Sequence, residues 1–124
     1  MVYVGIDVAK DKHDCFIANS DGEVLYDVFT IQNNMDGFED LFFKIKTASM
    51  DLSKVKVGLE ATGHYSCNIL GFLHNKGLTT IVINPLHTNA YRKSLSLRKT
   101  KTDKADARAI ASMIMSDVSL KPYS

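Results

Sequence analysis

Two apolar runs in this chain are built alike, and each ends in an acid: VYVGIDVA at 2–9 and VKVGLEA at 55–61. Both read as buried strands. In the first, a period of two turns Val2, Val4, Ile6 and Val8 to one side and Tyr3, Gly5, Asp7 and Ala9 to the other. Carboxylates are uncommon in such surroundings, because a charge taken out of water needs a partner. In both runs a glycine stands two residues before the acid, as Gly5 before Asp7 and Gly58 before Glu60, and so shares its face. Glycine weakens a strand and marks the close approach of a ligand or of another backbone. The repeated pattern predicts a bare patch of sheet with Asp7 and Glu60 at its rim, provided the two strands are neighbours. A plainer reading makes them strand-end acids that face solvent or cap helices.

The rest of the chain supplies the frame. A polar turn, KDKHD, leads into a second strand near 14–19, and Ser20-Asp21-Gly22-Glu23 is a hairpin signal before a third near 23–31. Phe38, Leu41, Phe42 and Ile45 set a helix over 36–48. After the fourth strand at 55–61, a helix over 64–76 turns Tyr65, Ile69, Phe72 and Leu73 inward and stops at Gly77. TTIVIN at 79–84 is the fifth strand, a short helix is expected near 86–95, and the last helix runs from about 103 to 116. Three meander strands followed by crossover units predict an α/β fold. Its mixed five-stranded sheet has an antiparallel three-strand meander plus two parallel strands, covered by helices. Sites in such sheets form at the carboxyl ends of the parallel strands, where Asp7 and Glu60 lie.

Two further acids, Asp103 and Asp106, head the last helix. Acids there also suit an N-terminal cap and the helix dipole. Yet at 3.6 residues per turn they share a stripe with Ala107, Ile110, Met113 and Ile114, the face that must bury against the sheet. They also sit in the most basic stretch. Residues 92–108 hold Arg92, Lys93, Arg98, Lys99, Lys101, Lys104 and Arg108 against two acids, a net of +5, whereas the remainder has eight basic and twelve acidic residues, a net of −4. Four convergent carboxylates repel one another unless a cation lies among them. Oxygen ligands alone select Mg²⁺ or Mn²⁺ over zinc. Such a centre beside a basic segment suits phosphodiester chemistry, the basic residues gripping a nucleic-acid backbone without reading its sequence.

Other classes fare worse. At 124 residues and 45% hydrophobic content the chain is sized for one domain with a real core. A two-lobed phosphotransferase needs more chain, and KDKHD lacks the glycines and hydroxyls that cradle phosphates. Cys15 and Cys67 are too few for a disulfide framework, show no zinc spacing, and read as reduced core residues of an intracellular protein. His13, His64, His74 and His87 are scattered and read as surface or internally satisfied side chains. No run approaches the length of a membrane span, and no signal peptide is visible, so no membrane partner is expected. A non-catalytic nucleic-acid-binding domain, with the acids as caps, remains open on these grounds.

Four segments carry a resemblance. GIDVAKDKHD at 5–14, GLEATGHY at 58–65, INPLHTNAYRKS at 83–94 and KTDKADARAIA at 101–111 resemble, in this order, the N-terminal domain of the DEDD transposases of insertion-sequence family 110, related to the Piv-type DNA invertases. The resemblance implies a RuvC-like, RNase H-type fold. It implies that the family's four acids are Asp7, Glu60, Asp103 and Asp106, holding Mg²⁺ or Mn²⁺ for DNA strand cleavage and transfer in transposition. A stand-alone RNase H-like nuclease or Holliday-junction resolvase is the alternative. The implied partners are DNA, a structured guide RNA, and further copies in a homo-oligomer of the full-length protein. The implied location is the bacterial cytoplasm, at the nucleoid. Family members carry a second, C-terminal domain with a nucleophilic serine. Residues 1–124 are expected to be a single RuvC-like domain without it, weak or inactive alone.

Overall fold

The computed structural model describes residues 1–60, 64–84 and 107–116. Five strands form one sheet: β1 (Val2–Asp7), β2 (Lys12–Asn19), β3 (Val24–Gln32), β4 (Val55–Glu60) and β5 (Thr79–Ile83). Their spatial order is β3-β2-β1-β4-β5. β1, β2 and β3 pair antiparallel, while β4 runs parallel to both β1 and β5. The helices are α1 (Met35–Ala48), α2 (Cys67–Asn75) and α3 (Ala107–Ser116), with a single 3-10 turn at Leu52–Lys54 before β4. The expected mixed sheet, with its meander and two parallel strands, is the one observed.

Local chemistry explains the boundaries. β1 stops at Asp7, two residues short of the apolar run, because the Ala9 N–H leaves the ladder and donates to His13 Nδ1 at 3.2 Å. The β2–β3 turn is held by Asn19, whose Oδ1 accepts from the N–H groups of Asp21 and Glu23, and Gly22 supplies the required φ of +84°. Asn34 caps α1, its side chain accepting from the Gly37 N–H at 2.9 Å. α2 ends at Gly77, φ +77°, where the Leu78 N–H returns to the Leu73 carbonyl.

The sheet separates two apolar layers. On one face Val4, Ile6, Ile17, Val57 and Leu59 pack with Leu41 and Ile45 of α1 and Ile69 and Leu73 of α2. On the other, α3 lies alone among the described helices. Its Ile110, Met113 and Ile114 meet Ile81 and Ile83 of β5, while Ala107 and Ala111 meet Phe16 and Ala18 of β2. The stripe expected for the last helix is therefore the buried one from Ala107 onward, with Ala111 added to it.

Two inward assignments fail. Tyr65 and Cys67 are exposed. Residues 64–66 form a turn, and the helix begins only at Cys67, so Tyr65 lies outside its phase and packs at a tilt beside His64 instead, ring centres 5.0 Å apart. The apolar stripe of α2 is Ile69, Phe72 and Leu73, and Cys67 falls off it. Cys15, by contrast, is fully buried in β2. The helix expected near 86–95 and the polar segment at 94–101 lie outside the described residues.

Candidate functional site

The constant offset between β1 and β4 builds the site. Val2 pairs with Val55 and the register runs unbroken through Gly5–Gly58 to Ile6–Leu59. One step further, the same offset sets Asp7 level with Glu60 at the carboxyl ends of two adjacent parallel strands. Both acids are half-buried, two residues beyond the paired glycines and on the same face. That is the face covered by α3.

The glycines do not leave the sheet bare. A Cβ on Gly5 would stand 2.1 Å from the Ala107 carbonyl oxygen and 2.6 Å from the Ala111 nitrogen. A Cβ on Gly58 would stand 2.7 Å from Ile114 Cγ2 and 3.3 Å from Ile110 Cγ2. The patch is thus the seat of a helix, not an open floor for a ligand, because only a residue without a side chain lets the α3 backbone rest directly on β1. α3 begins beside Gly5, and Asp106 is the residue bonded to Ala107. Asp103 and Asp106 themselves lie outside the described residues, as do Arg92, Lys93, Arg98, Lys99, Lys101 and Lys104. Of the seven basic candidates, Arg108 is described. It is exposed, with Nη2 2.6 Å from Asp27 Oδ1 and its guanidinium 5.6 Å from the centre of the Phe16 ring.

An acid that the strand patterns alone did not single out joins the row. Asp14 of β2 pairs directly with Asp7, and Thr30 of β3 donates its hydroxyl to Asp14 Oδ1 at 2.7 Å. Directly paired residues share a face, so Asp14, Asp7 and Glu60 stand on three consecutive strands at one end of the sheet. The hairpin arithmetic could have shown it, since a β1–β2 turn centred on 10 and 11 must pair residue 7 with residue 14.

The donor set suits a hard divalent cation. It offers carboxylate oxygens with no imidazole or thiolate among them, and adjacent like charges on a sheet are destabilising until a cation offsets them. Among the described residues, however, no group of three or more His, Cys, Asp or Glu side chains converges closely enough to hold a metal ion. A complete centre needs donors in addition to Asp7 and Glu60. His13 lies on the other side of the sheet, fully buried and stacked 6.3 Å from Phe38, with Nε2 lacking a hydrogen-bond partner. Burial holds its pKa below the ordinary value.

A mixed β3-β2-β1-β4-β5 sheet with helices on both faces is an RNase H-like fold of the RuvC type. Thermus thermophilus RuvC matches over 99% of this chain and 100% of its own, with a TM-score of 0.64 at 12% identity. A structure of T. thermophilus RuvC in complex with Holliday junction substrate matches over 99% of both chains, with a TM-score of 0.61 at 13% identity. Likeness at that identity speaks for the fold. The sequence goes further: the family of DEDD transposases of insertion-sequence type 110, described as transposase, matches residues 4–124, and the chain belongs to it. Pilin gene-inverting proteins of Moraxella bovis and Moraxella lacunata are 37% and 36% identical over 110 residues, which make up 88% of this chain and 33% of theirs. The chain spans about a third of the length of these curated relatives. No helix among the described residues is long and apolar enough to cross a membrane.

Proposed function

We propose that residues 1–124 form the acid-bearing catalytic domain of a DNA transposase, which cuts and transfers DNA strands with a divalent cation. Asp7, Glu60, Asp103 and Asp106 hold Mg²⁺ or Mn²⁺. The observation that carries this reading is the β1–β4 register, which sets Asp7 and Glu60 side by side at the strand ends with α3 entering two residues away. Asp103 and Asp106 precede that entry directly in the chain, which supports their joining the same site. When bound, the cation polarises the scissile phosphodiester and stabilises developing charge on oxygen. The protein's part is positioning: rigid strands orient two carboxylates, and a helix seated on glycine brings the other two.

DNA is the substrate class, and the family membership and the DNA-inverting relatives support it. The basic segment, with Arg92, Lys93, Arg98, Lys99, Lys101 and Lys104, supplies salt-sensitive contacts to the phosphate backbone. A structured guide RNA and a second copy of the chain are partners of the longer protein in this reading, as is a C-terminal domain carrying a nucleophilic serine. The RuvC–Holliday junction complex supports branched DNA as the form of substrate. The protein works in the bacterial cytoplasm, at the nucleoid.

Manganese titration followed by electron paramagnetic resonance tests the centre. Asp7→Asn and Glu60→Gln are each expected to lose Mn²⁺ binding while keeping the fold and the affinity for duplex DNA. Mn²⁺ affinity unchanged in both variants would refute the site. Replacing Arg98, Lys99 and Lys101 together by Ala is expected to weaken DNA binding and flatten its salt dependence.

A further inference from the structure

We propose that Arg108 and Asp27 form a clamp that seats the first turn of α3 on the sheet, so that Arg108 is a positioning residue for the acid-bearing end of that helix and not a free contact for phosphate. This rests on the reading of Asp103 and Asp106 as site acids. The geometry is specific. Arg108 follows Ala107, whose carbonyl oxygen rests over Gly5. Its guanidinium lies with Nη2 2.6 Å from Asp27 Oδ1 and with its central carbon 5.6 Å from the centre of the Phe16 ring. A planar cation is thus held by an anion on β3 and an aromatic ring on β2, across 81 residues of sequence.

Asp27 is prepared for this role. Its Oδ1 also accepts from the Val28 N–H at 2.8 Å, a backbone contact that orients the carboxylate independently of the arginine. The Val28 N–H first, and Arg108 second, hold its carboxyl below the usual carboxylate range, so it stays charged wherever nucleic acid would bind. The apolar face of α3 fixes the body of the helix through Ile110, Met113 and Ile114 toward β5. On the side toward β2, beside Phe16, the seat is made by the small residues Ala107 and Ala111, which bury little side-chain surface. The clamp sits on that side, at Arg108. A small lift there would raise Ala107 from Gly5, two residues before Asp7 on β1.

The test uses the full chain with Arg108→Ala, Arg108→Lys, Asp27→Asn and the exchange Asp27→Arg with Arg108→Asp. Two quantities are read: Mn²⁺ affinity by electron paramagnetic resonance, and amide exchange at Ala111 and Ser112 against Val4 and Ile6 of β1. An exposed ion pair with one ring contact predicts about fivefold faster exchange at Ala111 and Ser112 in Arg108→Ala and Asp27→Asn. Exchange in β1 stays unchanged. Both variants also weaken Mn²⁺ binding severalfold, the exchanged pair recovers most of the loss, and Arg108→Lys falls between. The common direction is diagnostic. Through-space charge alone would make Arg108→Ala bind the cation more tightly and Asp27→Asn less tightly, and that result would overturn the clamp. So would weaker DNA binding by Arg108→Ala with no change in Mn²⁺ affinity or exchange, the signature of a phosphate contact. If Asp103→Asn and Asp106→Asn leave Mn²⁺ affinity unchanged, the underlying reading fails. If they abolish it while Arg108→Ala does not weaken it, the clamp alone fails.

Discussion

Replacing Gly5 by alanine tests the seat of α3 most directly. The added Cβ would stand 2.1 Å from the Ala107 oxygen and 2.6 Å from the Ala111 nitrogen, where ordinary contact begins near 3.4 Å. Both atoms belong to helix backbone, so no side-chain rotation relieves the clash. The helix must lift or slide by about 1.3 Å, the shortfall between the shorter contact and an ordinary one. Ala107, Ile110, Ala111, Met113 and Ile114 move together. A gap of about 0.5–1 Å already forfeits a quarter to a half of each dispersion contact. Overpacking of this kind costs about 1–3 kcal/mol, offset by about 0.5–1 kcal/mol because alanine suits a strand better than glycine. A net loss of about 1–2 kcal/mol is expected in urea unfolding followed by circular dichroism, with weaker Mn²⁺ binding alongside. Gly58→Ala meets Ile114 Cγ2 at 2.7 Å and Ile110 Cγ2 at 3.3 Å, side-chain methyls and not helix backbone, and should cost less than Gly5→Ala. Gly71→Ala, an interior helix position with nothing within 4 Å, should stabilise by about 0.5–1 kcal/mol. Gly5→Ala at or above wild-type stability, or costing no more than Gly58→Ala, would refute the reasoning.

Other outcomes follow from the remaining elements. Asn34→Ala removes the cap that accepts from the Gly37 N–H and should cost about 1 kcal/mol in the same unfolding assay, whereas Asn34→Asp retains most of it. His13 has a folded pKa lowered by burial, so its neutral form is the one the native state accepts. Its contribution is full above the unfolded value near 6.5 and is lost as pH falls from there through the lowered folded pKa. A His13→Leu variant should therefore show a flatter decline in stability below pH 6.5, and identical slopes would refute the assignment. Burial pushes the Cys15 thiol far up from its ordinary value, while Cys67 is exposed. A thiol reagent should thus label one cysteine per native chain at neutral pH and both after denaturation.

Much of the site was legible because strand periodicity is rigid. The alternation in VYVGIDVA and VKVGLEA sets Asp7 and Glu60 on the same face as Gly5 and Gly58 whatever surrounds them. The parallel register then needed only that the two strands be neighbours. The stripe of the last helix was equally readable from Ala107 to Ile114. The basic residues were visible as composition, but composition does not say which of them has a partner, and Arg108 has one in Asp27.

Sequence alone therefore determined the five strands, the faces of β1, β4 and α3, and the placing of two acids at strand ends, because each depends on spacing along one segment. Tertiary structure decided what lies opposite each face. It turned the glycine patch from an open floor into the seat of a helix, set Asp14 beside Asp7, exposed Tyr65 and Cys67 through the late start of α2, and joined Arg108 to a carboxylate 81 residues away. The physical reason is one of range. Periodicity records which way a side chain points, and only the packing of distant segments supplies the atoms it meets.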